Sequence, residues 1–191
     1  MKQKAFINLP ELTITIAVWV AAALCIAAFV LDLYDVEWSN YLDLAETSVM
    51  IVVWGLIINS LNKNHRIRPL LTVLLVLSLV LSLSTSISYL ITEDSIIVYL
   101  YYVVWIATLV VIISSYSGLF RKYAMTELLC LLGIIILPII MVVFDIDANP
   151  NDSLFKGILK YAVLPLLFLP YQALIDALQE NEDEEESEEE E

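Results

Sequence analysis

Short polar joints of alternating charge divide this chain into long apolar runs, and that pattern constrains its fold more than any other feature. Lys2 and Lys4 come first, then Asp32, Asp35, Glu37 and Asp43. Lys63, Arg66 and Arg68 follow around His65, then Glu93-Asp94, then Arg121-Lys122, then Asp145, Asp147 and Asp152. Water gives a soluble protein no reason to alternate loop charge with the period of its apolar segments. A bilayer does, because Lys and Arg in short loops stay on the cytoplasmic side. Composition agrees: the chain is 60% hydrophobic with mean hydropathy +0.83, where a soluble domain is about 45–50% apolar.

Crossing a hydrocarbon core of about 30 Å takes about 20 apolar residues in a helix. The runs Leu12 to Leu31, Leu44 to Leu61, Pro69 to Ile91, Ile96 to Leu119 and Met125 to Phe144 meet or approach that length. A sixth, Leu154 to Leu174, also carries Lys156, Lys160, Pro165 and Pro170. The two lysines are four apart on one face, where they can snorkel to the interface or pair with Asp147 or Asp152. The sequence therefore predicts an all-α polytopic membrane protein of six transmembrane helices with both termini cytoplasmic. Five or four spans are the alternatives. The first run is too long for a signal-peptide core and reads as an uncleaved helix. Tyr34, Trp38 and Tyr41 flank the first acidic joint, and Tyr89, Tyr99, Tyr101 and Tyr102 flank the second. Aromatic residues with one polar end suit the headgroup layer on that side. The joint Thr92–Ser95 is short enough to make spans three and four an antiparallel hairpin.

The net charge of -14 belongs largely to one segment. Ten of the 23 acidic residues lie between Glu180 and Glu191, leaving 13 acidic against 9 basic elsewhere. The chain divides into a helical bundle over 1–178 and an acidic tail over 179–191. Like-charge repulsion and the lack of apolar residues predict a disordered, cytoplasmic tail. Its Glu182, Asp183, Glu184, Glu185, Glu186, Glu188, Glu189, Glu190 and Glu191 would attract a protein partner with a basic surface, by salt-sensitive steering. The bland alternative is a solubilising end. No basic patch with interleaved aromatics is present, so direct nucleic-acid binding is not expected.

Polar groups within a bilayer are costly and so become candidate sites. Glu46 reads as an interfacial carboxylate, or else as a proton or cation ligand facing the bundle interior. Glu127 reads as a first-turn acid favoured by the helix dipole, or else as a group at an inner vestibule. Ser78, Ser82 and Ser86 recur every four residues as a helix-packing face, with a pore face as the competing idea. Small residues at Ala21, Ala22, Ala23, Ala27 and Ala28 suggest a second close-packing face and a homo-oligomer. Cys25 and Cys130 lie in apolar runs without CxxC spacing and read as packing residues. His65 is the only histidine. No metal spacing, nucleophile motif or phosphate loop accompanies it, so no cofactor, no metal and no enzymatic activity are expected.

A chain of this size, opening Met1-Lys2, entering a helix at Leu9-Pro10 and spanning the membrane several times with little surface outside it, resembles the membrane-subunit family (KwaA) of the two-component Kiwa anti-phage system. The likeness is one of size and architecture over most of the chain, not of a motif. It implies an oligomeric inner-membrane protein that binds a cytoplasmic effector and responds to phage infection. The residues themselves suggest a non-enzymatic anchoring, sensing or signalling subunit, with a small oligomeric channel or transporter as the alternative.

Overall fold

The computed structural model describes residues 3–4, 11–61, 66–91, 96–143 and 154–189, with side-chain surroundings over 13–61, 66–91, 96–137, 139–140 and 161–179. Six helices occupy almost all of this: α1 (Glu11–Asp32), α2 (Ser39–Ser60), α3 (Arg68–Ile91), α4 (Ile97–Ser115), α5 (Gly118–Val143) and α6 (Leu154–Glu189). Two short strands, β1 (Gln3–Lys4) and β2 (Tyr116–Ser117), pair in parallel, Gln3 with Tyr116 and Lys4 with Ser117. This pairing holds the start of the chain against the joint between α4 and α5.

Among the described residues, five helical stretches are long and apolar enough to cross a bilayer: Thr13–Asp32, Ser39–Ser60, Arg68–Ile91, Ile97–Ser115 and Tyr161–Gln179. The chain is thus a multi-pass membrane protein by the length and composition of its helices. Helix α5 has the length, at 26 residues, but Arg121, Lys122 and Glu127 all fall in its first half.

Each helix packs on its neighbours in sequence, and α6 packs back on α1. The result is a closed ring of helices. Its outer wall is apolar: Val52, Val73, Val103 and Leu129 are 61 to 66% exposed. That surface would be unfavourable in water and suits lipid. Inside, Ile57, Leu61, Leu71, Leu75, Leu109 and Ile112 are fully buried. Lipid tails are as apolar as these side chains, so their burial adds little by itself. Close packing and interhelical hydrogen bonds hold such a ring together.

The joints have specific causes. Helix α1 ends in a Schellman turn, with Val36 N–H bonded to Leu31 O and Asp35 N–H to Asp32 O, both at 3.1 Å. The residue after the cap, Asp35, is left-handed at φ 54°, a conformation that Asp tolerates better than most residues. Gly118 has φ 73° and turns β2 into α5. This breaks the run Ile96 to Leu119 at Ser115, four residues before its expected end, because Tyr116 and Ser117 are extended and bonded to β1. Ser60 donates to Ile57 O at 2.9 Å at the end of α2.

Two further differences from the sequence reading concern α2 and α6. Helix α2 starts at Ser39, five residues ahead of the expected Leu44. Helix α6 continues to Glu189, beyond the expected Leu174 and through the acidic run that repulsion would leave extended. Glu is a good helix former, and a helix already running into the segment removes the cost of nucleation. The tail carboxylates from Glu180 to Glu191, the side chains of Lys156, Lys160 and Pro138, and residues His65, Glu93, Asp94, Asp145, Asp147 and Asp152 lie outside the described residues. Ala21, Ala22 and Ala28 are buried within the chain, while Ala27 is half-buried and Ala23 exposed, so the small face of α1 packs in part inside the ring.

Candidate functional site

A cavity of about 190 Å³ lies within the ring. Every helix contributes to it. Cys25 comes from α1, Glu46 from α2, Ser78 and Ser82 from α3, Tyr101 and Trp105 from α4, Tyr123 and Glu127 from α5, and Tyr171 from α6. Among the described residues no Lys or Arg lines it.

The carboxylates reach the cavity because of where their helices begin. With α2 starting at Ser39, Glu46 stands about two turns inside the helix. With α5 starting at Gly118, Glu127 stands about two and a half turns in, beyond the first turn in which the dipole argument placed it. Glu46 accepts a hydrogen bond at Oε1 from the Tyr171 hydroxyl, which ties α2 to α6 across the interior. Thr47 has one hydroxyl proton and two acceptors in reach, Ser86 Oγ at 3.0 Å and Glu46 Oε2 at 3.5 Å. Ser86 already donates to Asp43 Oδ2 at 2.8 Å, so Ser86 must accept from Thr47. The shorter contact takes the proton. Glu46 Oε2 is left without a full-strength donor. Glu127 accepts from the Trp105 indole N–H at Oε1, at 3.0 Å.

Aromatic rings form much of the remaining wall. Trp54 and Trp105 meet edge to face, with centroids 5.5 Å apart and planes at 82°. Trp54 also packs on Tyr123 at 5.9 Å, and Tyr101 stacks on Trp105 at 6.4 Å and 14°. These contacts fix the rings against one another, and all four line the cavity. The indole that donates to Glu127 belongs to the same cluster. Position and hydrogen bonding are therefore set together.

The serine stripe divides its roles. Ser86 joins α3 to α2 through Thr47 and Asp43. Ser78 sits 3.3 Å from Thr108 of α4. Both hydroxyls already donate to their own helix, Ser78 to Leu74 O and Thr108 to Val104 O, each at 2.8 Å. Their contact is thus a close approach of α3 and α4 rather than a third full bond. Ser78 and Ser82 also face the cavity; Ser86 is not part of its lining.

Helix α6 enters the site at a weak point of its own backbone. Pro170 has no N–H to give to the carbonyl of Leu166, and Pro165 none for Tyr161. Pro170, Tyr171 and Leu174 line the cavity. On the facing helix, a Cβ added to Gly133 would meet Leu166 Cδ1 at 3.1 Å, so glycine there allows α5 and α6 to approach closely.

Sequence reasoning named Glu46, Glu127, Ser78 and Ser82 but not the aromatic wall. A signal was present: Tyr101 with Trp105, and Tyr123 with Glu127, are spaced at four and share a helix face. Tyr171 had only its position beside Pro170. Among the described residues no group of three or more His, Cys, Asp or Glu side chains is placed to hold a metal ion. Compared with known proteins, the chain matches no protein-family model, no curated protein and no solved structure.

Proposed function

We propose that this is a non-enzymatic inner-membrane subunit of six spans, both termini cytoplasmic, which senses a small ligand in its bundle and signals to a cytoplasmic protein with a basic surface. One observation carries the reading: α6 holds Tyr171 in the cavity against Glu46 and continues into the acidic run. A change at the cavity therefore acts on the same helix that presents the charge. Pro165 and Pro170 weaken that helix between its two ends. The alternation of basic and acidic joints supports the orientation, with α5 counted as a span because its apolar part follows Glu127. The resemblance to the Kiwa membrane subunit makes anti-phage defence the proposed setting.

Co-purification tests this reading, with full-length protein against a chain ending at Gln179, each at low and moderate salt. A stoichiometric soluble partner that is lost with the tail, and weakened by salt, supports it. No such partner with either chain overturns it. The polar lining at Ser78 and Ser82 favours a second reading, a small channel or transporter. Ion flux in liposomes that persists without residues 180–191 would establish that reading instead.

A further inference from the structure

We infer that the cavity inside the ring is a binding site for a small organic ammonium ion. This rests on the reading of the cavity as the sensing site and names the ligand class it would take. Three features of the lining converge on that chemistry.

The first is charge. Two carboxyl groups, Glu46 and Glu127, face one cavity with no Lys or Arg among its described lining residues. The polar groups that reach them among the described residues, Tyr171, Thr47 and Trp105, are all neutral. The hydrogen-bond order worked out above leaves Glu46 Oε2 without a full-strength donor, so it is the acceptor available to a guest. Acids inside a bilayer face the bundle interior or a polar cavity and pair with something there.

The second is the aromatic wall. A cation over the face of Trp or Tyr is attracted by the ring quadrupole, and the attraction grows when the cation is stripped of water. Trp54, Tyr101, Trp105 and Tyr123 hold one another at centroid distances from 5.5 to 6.4 Å, with planes at angles from 14 to 82°. All four line the cavity, so together they give a guest cation an aromatic wall. They suit a methylated or alkyl ammonium better than a bare metal ion, which gains little from carbon surface.

The third is what the site lacks. A hard divalent cation such as Ca²⁺ takes about 6–8 oxygen ligands, and the described residues offer no group of three or more acidic, Cys or His side chains for a metal. Met50, Leu79 and Leu166 complete the wall with apolar surface, which would suit the alkyl groups of an organic cation. The volume of about 190 Å³ is small. It admits an ion of tetramethylammonium size.

Tetramethylammonium is the probe, titrated into full-length protein in detergent. Tryptophan fluorescence and calorimetry report binding, and the neutral near-isostere tert-butanol is the control. The expected result is saturable binding of the cation and none of tert-butanol. Glu46→Gln and Glu127→Gln, checked for folding by gel filtration, should each weaken binding tenfold or more. A chain ending at Gln179 should bind as the full chain does. No saturable binding, equal binding of tert-butanol, or unchanged affinity in a folded Gln variant would overturn the assignment. Binding that persists when no cytoplasmic partner is found removes the signalling reading and leaves the ligand site. Partner capture without ammonium binding removes the ligand site alone.

Discussion

Replacing Tyr171 by Phe removes one oxygen and leaves the ring in place, so it isolates the bond that joins α6 to Glu46 on α2. Interhelical hydrogen bonds in membranes average roughly 0.6 kcal/mol, with the strongest near 1.7. Bonds to charged groups are worth about 1.5–3 kcal/mol in soluble proteins. The membrane reference state is the relevant one, and a carboxyl acceptor belongs at its upper end. We therefore expect a loss of about 1.5 kcal/mol, since among the described residues the other hydroxyl near Glu46, that of Thr47 at 3.5 Å, gives its proton to Ser86. At about 2–4 °C per kcal/mol for a chain of this size, Tm should fall by roughly 3–6 °C. Thermal unfolding in one detergent measures this for wild type, Tyr171→Phe, Glu46→Gln and the double variant. The two changes should couple by about 1 kcal/mol, because both act on one bond. Single-variant effects that add to within about 0.3 kcal/mol, or no loss in Tyr171→Phe, would refute the link between α2 and α6.

Other substitutions test the joints and the wall by the same thermal assay. Gly118→Ala forces a Cβ into φ 73° and should cost about 1–2 kcal/mol. Asp35→Gly relieves a left-handed Asp at φ 54° and should raise stability by up to about 1 kcal/mol. Trp105→Phe keeps most of the stacking surface but deletes the N–H bonded to Glu127, and should cost about 1–2 kcal/mol. Gly133→Ala should be mild, since the atom it meets is the movable end of Leu166. Gly133→Leu should cost about 1–3 kcal/mol by overpacking α5 against α6.

The helices were legible because lipid imposes a length and a composition on anything that crosses it. Arg68–Ile91 was expected from Pro69 to Ile91, and α1 differs from its expected run by one residue at each end. Boundaries set by local backbone chemistry were harder to read. The break after Ser115 depends on a strand contributed by Gln3–Lys4, which no local pattern announces. The early start of α2 adds the polar turn Ser39–Asp43, which carries no hydropathy signal. That shift matters for the site. Glu46 looks interfacial when the helix is counted from Leu44 and internal when it is counted from Ser39. Apolar periodicity hides the aromatic wall for a different reason. Trp and Tyr look alike in sequence whether they face headgroups, lipid or an interior cavity, and only the closure of the ring separates Tyr101, inside, from Tyr99, which is 70% exposed.

Ring closure by α6 on α1 also bears on how the protein is made. Helices emerge from the ribosome in order, so the seam between first and last closes only after α6 has entered the bilayer. Until then Glu46 lacks Tyr171, and the wall that hides both acids from lipid has a gap one helix wide. The segment that fills the gap is itself a reluctant membrane helix, with two prolines in its middle and two lysines near its start. Its insertion and the shielding of the acids favour each other, since it offers Glu46 a donor and the open bundle offers it a groove. A chain stalled before α6 would thus expose unshielded carboxyl groups to hydrocarbon.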